Sequence, residues 1–166
     1  MFTCSGEVKL IDFGLATNFP EPNQKLSGMV GSAFWIPPEM IRGLTHNHKA
    51  DVWSAGMCLW ELVNGHIPFY EENKQSASGA GENIAGIKGS RAMFQVGTGV
   101  PVPYDNPDEW NADAKDFFAQ IGTFEPEKRP EASQLLQHKY IGQATSQDAI
   151  KKMLIGVFRA AAMAVF

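Results

Sequence analysis

Apolar residues recur at helical spacing in several segments of the chain. Residues 51–64 are apolar on almost every side, with little charge beyond Glu61, a pattern typical of a helix buried in the middle of a domain. Asp51 is expected to cap the N-terminus of this helix, and Gly65 is expected to end it. Further helices are predicted over residues 90–96, 112–122 and 131–138, and in the tail from residue 148 onward.

The first residues of the chain predict a short β element. Residues 8–11 alternate between apolar and polar and then lead to Gly14, where the backbone can turn freely. Proline and glycine punctuate residues 15–38, which predicts a long loop. Residues 71–89 offer few side chains that could pack, and they predict a flexible surface insertion. The fold class expected from the whole pattern is mainly α, with one short β element at the N-terminus.

Composition narrows the classes of protein to consider. Hydrophobic residues make up 44% and charged residues 19% of the chain, which is a globular balance. The net charge is -4 and no long Lys/Arg cluster occurs, which argues against a nucleic-acid partner. Cys4 and Cys58 lie far apart without metal-ligand spacing, so we expect two reduced thiols in a cytoplasmic protein. We see no leader peptide and no apolar run that could span a bilayer, so no transmembrane segment is predicted.

The first motif with chemical content is KLIDFGLA at residues 9–16. It resembles the D-F-G segment of protein kinases, in which the aspartate binds the Mg²⁺ that bridges the phosphates of ATP. The resemblance makes Asp12 the candidate catalytic, cofactor-binding and metal-binding residue, with Phe13 and Gly14 as structural anchors. The alternative is an ordinary turn at the end of a strand, because Asp-x-Gly is common in turns.

A second motif, GSAFWIPPE at residues 31–39, is similar to the G-T-x-[YF]-W-x-A-P-E segment that closes the activation loop of Ser/Thr kinases. Ser32 matches the threonine that hydrogen-bonds the catalytic aspartate in the family, which makes Ser32 a second candidate catalytic residue. Pro37 replaces the usual alanine, which removes one backbone donor. An aromatic loop that packs on a helix would also explain these residues, and the two interpretations are compatible.

Two further motifs complete the resemblance. DVWSAG at residues 51–56 looks like the D-x-W-S-x-G helix of kinases, in which the aspartate accepts hydrogen bonds from backbone amides of the catalytic loop. The alternative for Asp51 is a simple helix cap. FEPEKRP at residues 124–130 resembles the segment whose arginine pairs with the glutamate of A-P-E. The resemblance therefore pairs Arg129 with Glu39, whereas Arg129 taken alone would be an exposed surface charge.

The joint pattern resembles eukaryotic-type Ser/Thr protein kinases, in the C-terminal part of the large lobe, and looks closest to the sterile-twenty and p21-activated group. Residues 1–141 would form a partial protein-kinase-like large lobe, and residues 142–166 a C-terminal helical tail. Gly28 stands where the p21-activated pattern has its activating threonine. Ser27, one position earlier, is therefore the candidate phosphorylation site of the activation loop.

Residues 1–166 contain no glycine-rich loop, no strand lysine of the V-A-I-K type and no H-R-D catalytic loop. By resemblance, the full-length protein transfers the γ-phosphate of ATP to Ser or Thr of protein substrates with Mg²⁺, and this chain alone is expected to be inactive. The alternative is a non-catalytic kinase-like interaction module that binds a kinase or regulatory partner through its helical lobe. A phosphate-binding enzyme of another fold would need a glycine-rich phosphate loop.

Two remaining features are left outside the family pattern. His46 and His48 alternate in a loop and are expected to be solvated, so no zinc site is predicted. The apolar stripe of the tail could pack on the rest of the chain, bind a partner or lie on a membrane surface.

Overall fold

A computed structural model describes residues 1–19, 21, 24–69, 84–104, 108 and 110–163 of the chain. The described residues are mainly helical, as the sequence predicts. Short 3₁₀ turns lie at Phe13–Leu15 and Ile141–Gln143. The α-helices are α1 (Pro38–Ile41), α2 (Lys49–Asn64), α3 (Ile84–Thr98), α4 (Ala112–Ile121), α5 (Ala132–Leu135) and α6 (Gln147–Met163).

Helix α2 is the centre of the core. The side chains of Trp53 and Trp60 are 0% exposed, and the rings of Phe117 and Phe118 on α4 are buried in the same cluster. Gly56 lets α2 and α4 approach closely, because a Cβ atom there would lie 2.8 Å from Cγ2 of Ile121. The expected burial of α2 on nearly every side therefore holds only in part, because another side of the helix, which includes Leu62, is exposed.

The sequence predicts the end of α2 correctly but not its start. Gly65 ends the helix in the left-handed conformation with φ 75°, as the sequence predicts. The predicted start is wrong by two residues, since Asp51 lies inside the first turn and is not the cap. The amide of Lys49 instead donates to Oδ1 of Asn47 over 3.0 Å, so the residue that satisfies the helix start lies four positions earlier.

Other boundaries also differ from the sequence prediction. The β element at residues 8–11 is reduced to an isolated antiparallel bridge between Phe2 and Val8. Of the predicted insertion, residues 71–83 lie outside the described residues, and residues 84–89 are wrongly assigned because they belong to α3. The predicted helix over 131–138 is shorter, because the amides of Gln137 and His138 bond carbonyls three residues back and tighten the chain into turns.

The segment around α1 forms a second, smaller apolar cluster from Ile36, Met40 and Ala50. Helix α1 packs against α3, and Nε of Arg42 donates to the carbonyl of Gly97 over 2.8 Å. Among the described residues, no helix is long and apolar enough to cross a membrane.

Candidate active site

The end of the long loop is fixed to the helical core by one ion pair. The guanidinium of Arg129 donates to Oε1 and Oε2 of Glu39 over 2.9 and 3.1 Å. Both side chains are nearly sealed from solvent, with exposures of 1% for Arg129 and 3% for Glu39. A bidentate pair of this kind combines charge attraction with a fixed geometry. The two residues that the kinase resemblance pairs therefore meet in the structure.

Arg129 also ties several backbone segments together. Its guanidinium donates to the carbonyl of Lys49 over 2.7 Å and to the carbonyl of Thr123 over 3.0 Å. Nζ of Lys49 donates in return to the carbonyl of Arg129 over 2.7 Å. The guanidinium carbon also lies 5.4 Å from the ring centroid of Trp53. Most of the donors of this buried cation are thus satisfied, which burial of a charge requires.

A cleft of about 200 Å³ lies between the loop and α2, and its lining includes Leu15, Ser32 and Asp51. The hydroxyl of Ser54 on α2 donates to the carbonyl of Trp35 over 2.8 Å, which holds the loop against the helix. Ser32 and Asp51 are both exposed toward this side of the molecule. The structure therefore brings two predicted site residues to one cleft.

A neighbouring cleft of about 310 Å³ includes Ser27, Leu15, His46 and Asp51 in its lining. The backbone of Leu26 exchanges two hydrogen bonds with His46, of 2.8 and 2.9 Å, so the loop before Ser27 is held to the segment between α1 and α2. Ser27 itself is exposed. The expectation of a solvated His46 is wrong, because only 6% of this residue is exposed.

Asp12 occupies a tight turn at the start of the loop. Its φ of 61° lies in the left-handed region, and Oδ1 accepts a hydrogen bond from the amide of Gly14 over 3.4 Å. Phe13 is 70% exposed. Among the described residues Asp12 makes no hydrogen bond or ion pair to Glu39, Asp51 or Arg129, so the structure does not bring it into direct contact with the other anchors.

Residues 1–141 match the family model described as "Protein kinase domain". The chain belongs to the protein kinase family. A "Probable serine/threonine-protein kinase mkcC" of Dictyostelium discoideum is 35% identical over 163 residues, which are 98% of this chain and 16% of that protein. Myosin-IIIa of Mus musculus is 32% identical over 155 residues, which are 90% of this chain and 9% of that protein. The chain thus spans less than a fifth of the length of these relatives.

Protein kinases use ATP with Mg²⁺, and the residues present fit that ion in part. Carboxylate oxygens are ligands that Mg²⁺ prefers. In Asp12, Oδ1 accepts the hydrogen bond from Gly14, and Oδ2 is not used by that bond. The described residues hold no cluster of three or more His, Cys, Asp or Glu side chains that could bind a metal. Asp12 could therefore hold the ion through one carboxylate oxygen, and the other ligands would have to come from groups outside the described residues.

Lys49, Ser54 and Glu131 make contacts beside the candidate site that the sequence analysis did not predict. Glu131 contacts Nε2 of His48 at 2.7 Å and Nζ of Lys49 at 3.2 Å. The hydrogen bond with His48, supported by Lys49, lowers the pKa of the Glu131 carboxyl. Ser54 belongs to the D-x-W-S-x-G motif, so the motif identifies the residue. It does not indicate that the hydroxyl bonds the carbonyl of Trp35. Lys49 and Glu131 carried no comparable signal.

Proposed function

We propose that this chain is the C-terminal part of the large lobe of a Ser/Thr protein kinase of the sterile-twenty type. In this proposal residues 1–141 belong to the kinase domain and residues 142–166 form its helical tail. The observation that carries the proposal is the buried Glu39–Arg129 pair, which joins a loop end of the A-P-E kind to the helical core. Similarity to the probable serine/threonine-protein kinase of Dictyostelium supports Ser/Thr specificity.

Each predicted site residue has a role in this proposal. Asp12 would hold Mg²⁺, which would neutralise charge on the phosphates of ATP, and Phe13 and Gly14 set the turn in which Asp12 lies. Ser32 and Asp51 flank the cleft of about 200 Å³, where the hydroxyl and the carboxylate would contact the catalytic loop of the complete domain. Ser27 is the proposed phosphorylation site of the loop, and its exposure makes it accessible to a kinase. In this proposal the complete protein phosphorylates serine and threonine of other proteins, and it does so in the cytoplasm.

The uncovered side of α2 supports the placement within a larger lobe. Asp51, Ala55, Cys58 and Leu62 are exposed at helical spacing, and Leu62 is 81% exposed. Beside them lies an apolar groove of about 480 Å³ between α2, α4 and α5. In a soluble protein an apolar surface of this kind is normally covered by further polypeptide. The complete kinase domain would supply that cover.

The same groove favours a second candidate function. A chain that acts without catalysis would use the groove between α2, α4 and α5 to bind a kinase or regulatory partner. The two functions make different demands on the rest of the protein, because only a catalyst needs the glycine-rich loop and the catalytic base.

Phosphate transfer from radiolabelled ATP to a generic Ser/Thr protein substrate tests the proposal. Residues 1–166 alone should transfer no phosphate, and the complete polypeptide that contains them should label serine and threonine. An inactive complete polypeptide that still binds a kinase through residues 1–166 would favour the interaction module. Phosphate mapping of cell-derived protein tests Ser27, and phosphate found only at other positions would contradict that assignment.

A further inference from the structure

The tail helix α6 contacts the very start of the chain. Nε2 of Gln147, the first residue of α6, donates to the carbonyl of Ser5 over 3.1 Å, although the two residues are 142 positions apart. Ile150 and Leu154 are half-buried, and they lie on the same side of α6 as Gln147 and Lys151. One face of the tail is therefore turned toward the N-terminal segment of the protein.

At Gly6 the backbone of the N-terminal segment lies close to the backbone of α6. Gly6 is buried, and a Cβ atom there would lie 2.7 Å from the carbonyl oxygen of Gln147 and 3.0 Å from the amide nitrogen of Lys151. Both obstacles are backbone atoms, which cannot swing aside as a side chain can. The φ of Gly6, 84°, also favours glycine at this position. Gly6 thus serves both the turn of residues 3–7 and the contact with α6.

The turn at Gly6 belongs to a small hairpin of residues 1–9. The amide of Thr3 donates to the carbonyl of Glu7, and the amide of Lys9 donates to the carbonyl of Met1, each over 2.8 Å. Asp12 follows Lys9 by three residues, and an extended chain advances at most about 3.6 Å per residue. The covalent chain therefore keeps Asp12 within about 11 Å of Lys9, so the place of the hairpin limits the region that Asp12 can occupy.

We propose that α6 docks on this hairpin and thereby positions Asp12, so that Gly6 and Gln147 are positioning residues for the metal ligand. The proposal rests on the role of Asp12 given above, because only that role makes its position matter for the reaction. It gives the tail, which lies beyond the residues matched by the kinase family model, a defined place in the molecule.

Amide hydrogen exchange of the 166-residue chain tests the docking without any need for catalysis. In Gly6→Ala we expect the amides of Thr3 and Lys9 and those of α6 to exchange at least about tenfold faster, because both partners of the contact are released. Gly43→Ala is the matched control. Its φ of 68° is similar, but a Cβ atom there would have nothing within 4 Å, so it should leave both segments unchanged.

Gln147→Ala is a milder variant that keeps the glycine turn intact. Loss of the hydrogen bond to Ser5 should speed exchange in the hairpin by about three- to tenfold. Hairpin amides that do not respond to Gln147→Ala, or α6 amides that do not respond to Gly6→Ala, would overturn the docking.

The link to Asp12 needs a second readout, taken in the complete polypeptide. Gln147→Ala should raise the free Mg²⁺ concentration needed for half-maximal phosphate transfer by about threefold or more, with the rate restored at high Mg²⁺. An unchanged Mg²⁺ requirement, in a protein that Asp12→Asn inactivates, overturns the positioning role and leaves the proposed function standing. If Asp12→Asn keeps full activity, the proposed role of Asp12 is contradicted. The positioning role of the tail is then contradicted as well, even if the exchange data show docking.

Discussion

Arg129 and Glu39 lie 90 positions apart in the sequence and share two hydrogen bonds, of 2.9 and 3.1 Å, inside the protein. Glu39 lies in α1 at the end of the loop, and Arg129 lies just before α5. The pair therefore closes a long stretch of chain and connects the loop to the core around Trp53. Its burial makes it the contact whose loss should cost most.

Glu39→Ala should lower the free energy of unfolding by about 3–5 kcal/mol, because it strands the charge of Arg129 in the interior. Urea unfolding of the chain measures this change. The double variant Glu39→Ala/Arg129→Met should lose clearly less than the sum of the single losses, since it leaves no unpaired charge. Lys25→Ala is the control: its contact with Glu127 is exposed and 4.0 Å long, so the change should stay below about 1 kcal/mol.

The close contact of α2 with α4 gives a second prediction. Gly56→Ala should lower the free energy of unfolding by about 1–3 kcal/mol, because the new methyl group would overlap Cγ2 of Ile121. Gly156→Ala makes the same change in α6, where a Cβ atom would have nothing within 4 Å. That variant should instead stabilise the chain by up to about 1 kcal/mol through helix propensity. Equal effects of the two substitutions would contradict the packing described for α2.

The contact of the loop with α2 through Ser54 gives a third prediction. Ser54→Ala removes the donor to the carbonyl of Trp35 and should lower the free energy of unfolding by about 0.5–1.5 kcal/mol. Amide exchange should rise in the loop around Trp35 more than in α4. Ser133→Ala, at an exposed position of α5, is the matched control and should change neither quantity. A uniform rise in exchange over the whole chain would mean that Ser54 does not act on the loop.

Glu131 gives a prediction for pH dependence. The hydrogen bond with His48, together with Lys49, holds the pKa of this carboxyl below its ordinary value of 4.5. A pKa lowered in the folded state stabilises the fold above that ordinary value, and the stabilisation is lost as the pH falls through the folded-state pKa. Urea unfolding between pH 7 and pH 3 should therefore show a shallower loss of stability in Glu131→Gln. Glu127→Gln, at an exposed carboxylate, should follow the unaltered chain.

Periodicity alone located the helices whose neighbours impose a clear apolar face. The predicted range 112–122 is close to the observed α4, whose cap is Asn111, with Oδ1 accepting from the amide of Ala114 over 2.8 Å. The end of α2 at Gly65 was equally visible, because a left-handed residue there favours glycine. The start of α2 was not visible, because Asp51 is a residue type that favours the cap position, whereas the observed cap is His48, which makes no side-chain cap hydrogen bond.

Contacts between distant segments were beyond local reasoning. His46 is polar and lies in a loop, and it is buried because the backbone of Leu26 pairs with it from across the chain. The contact of Gly6 with Gln147 depends on a separation of 141 residues, and no spacing in the sequence indicates it. The kinase motifs, by contrast, predicted the pairing of Glu39 with Arg129, because the family resemblance says which distant residues meet.

Phosphate transfer by the complete polypeptide, compared with its Asp12→Asn variant, tests the central claim most directly. The amide of asparagine is a much poorer Mg²⁺ ligand than a carboxylate, so we expect transfer to serine and threonine to fall by at least about a hundredfold. Glu127→Gln, which removes an exposed carboxylate elsewhere, should keep the full rate. An Asp12→Asn variant that phosphorylates its substrate as fast as the unaltered protein would contradict the account.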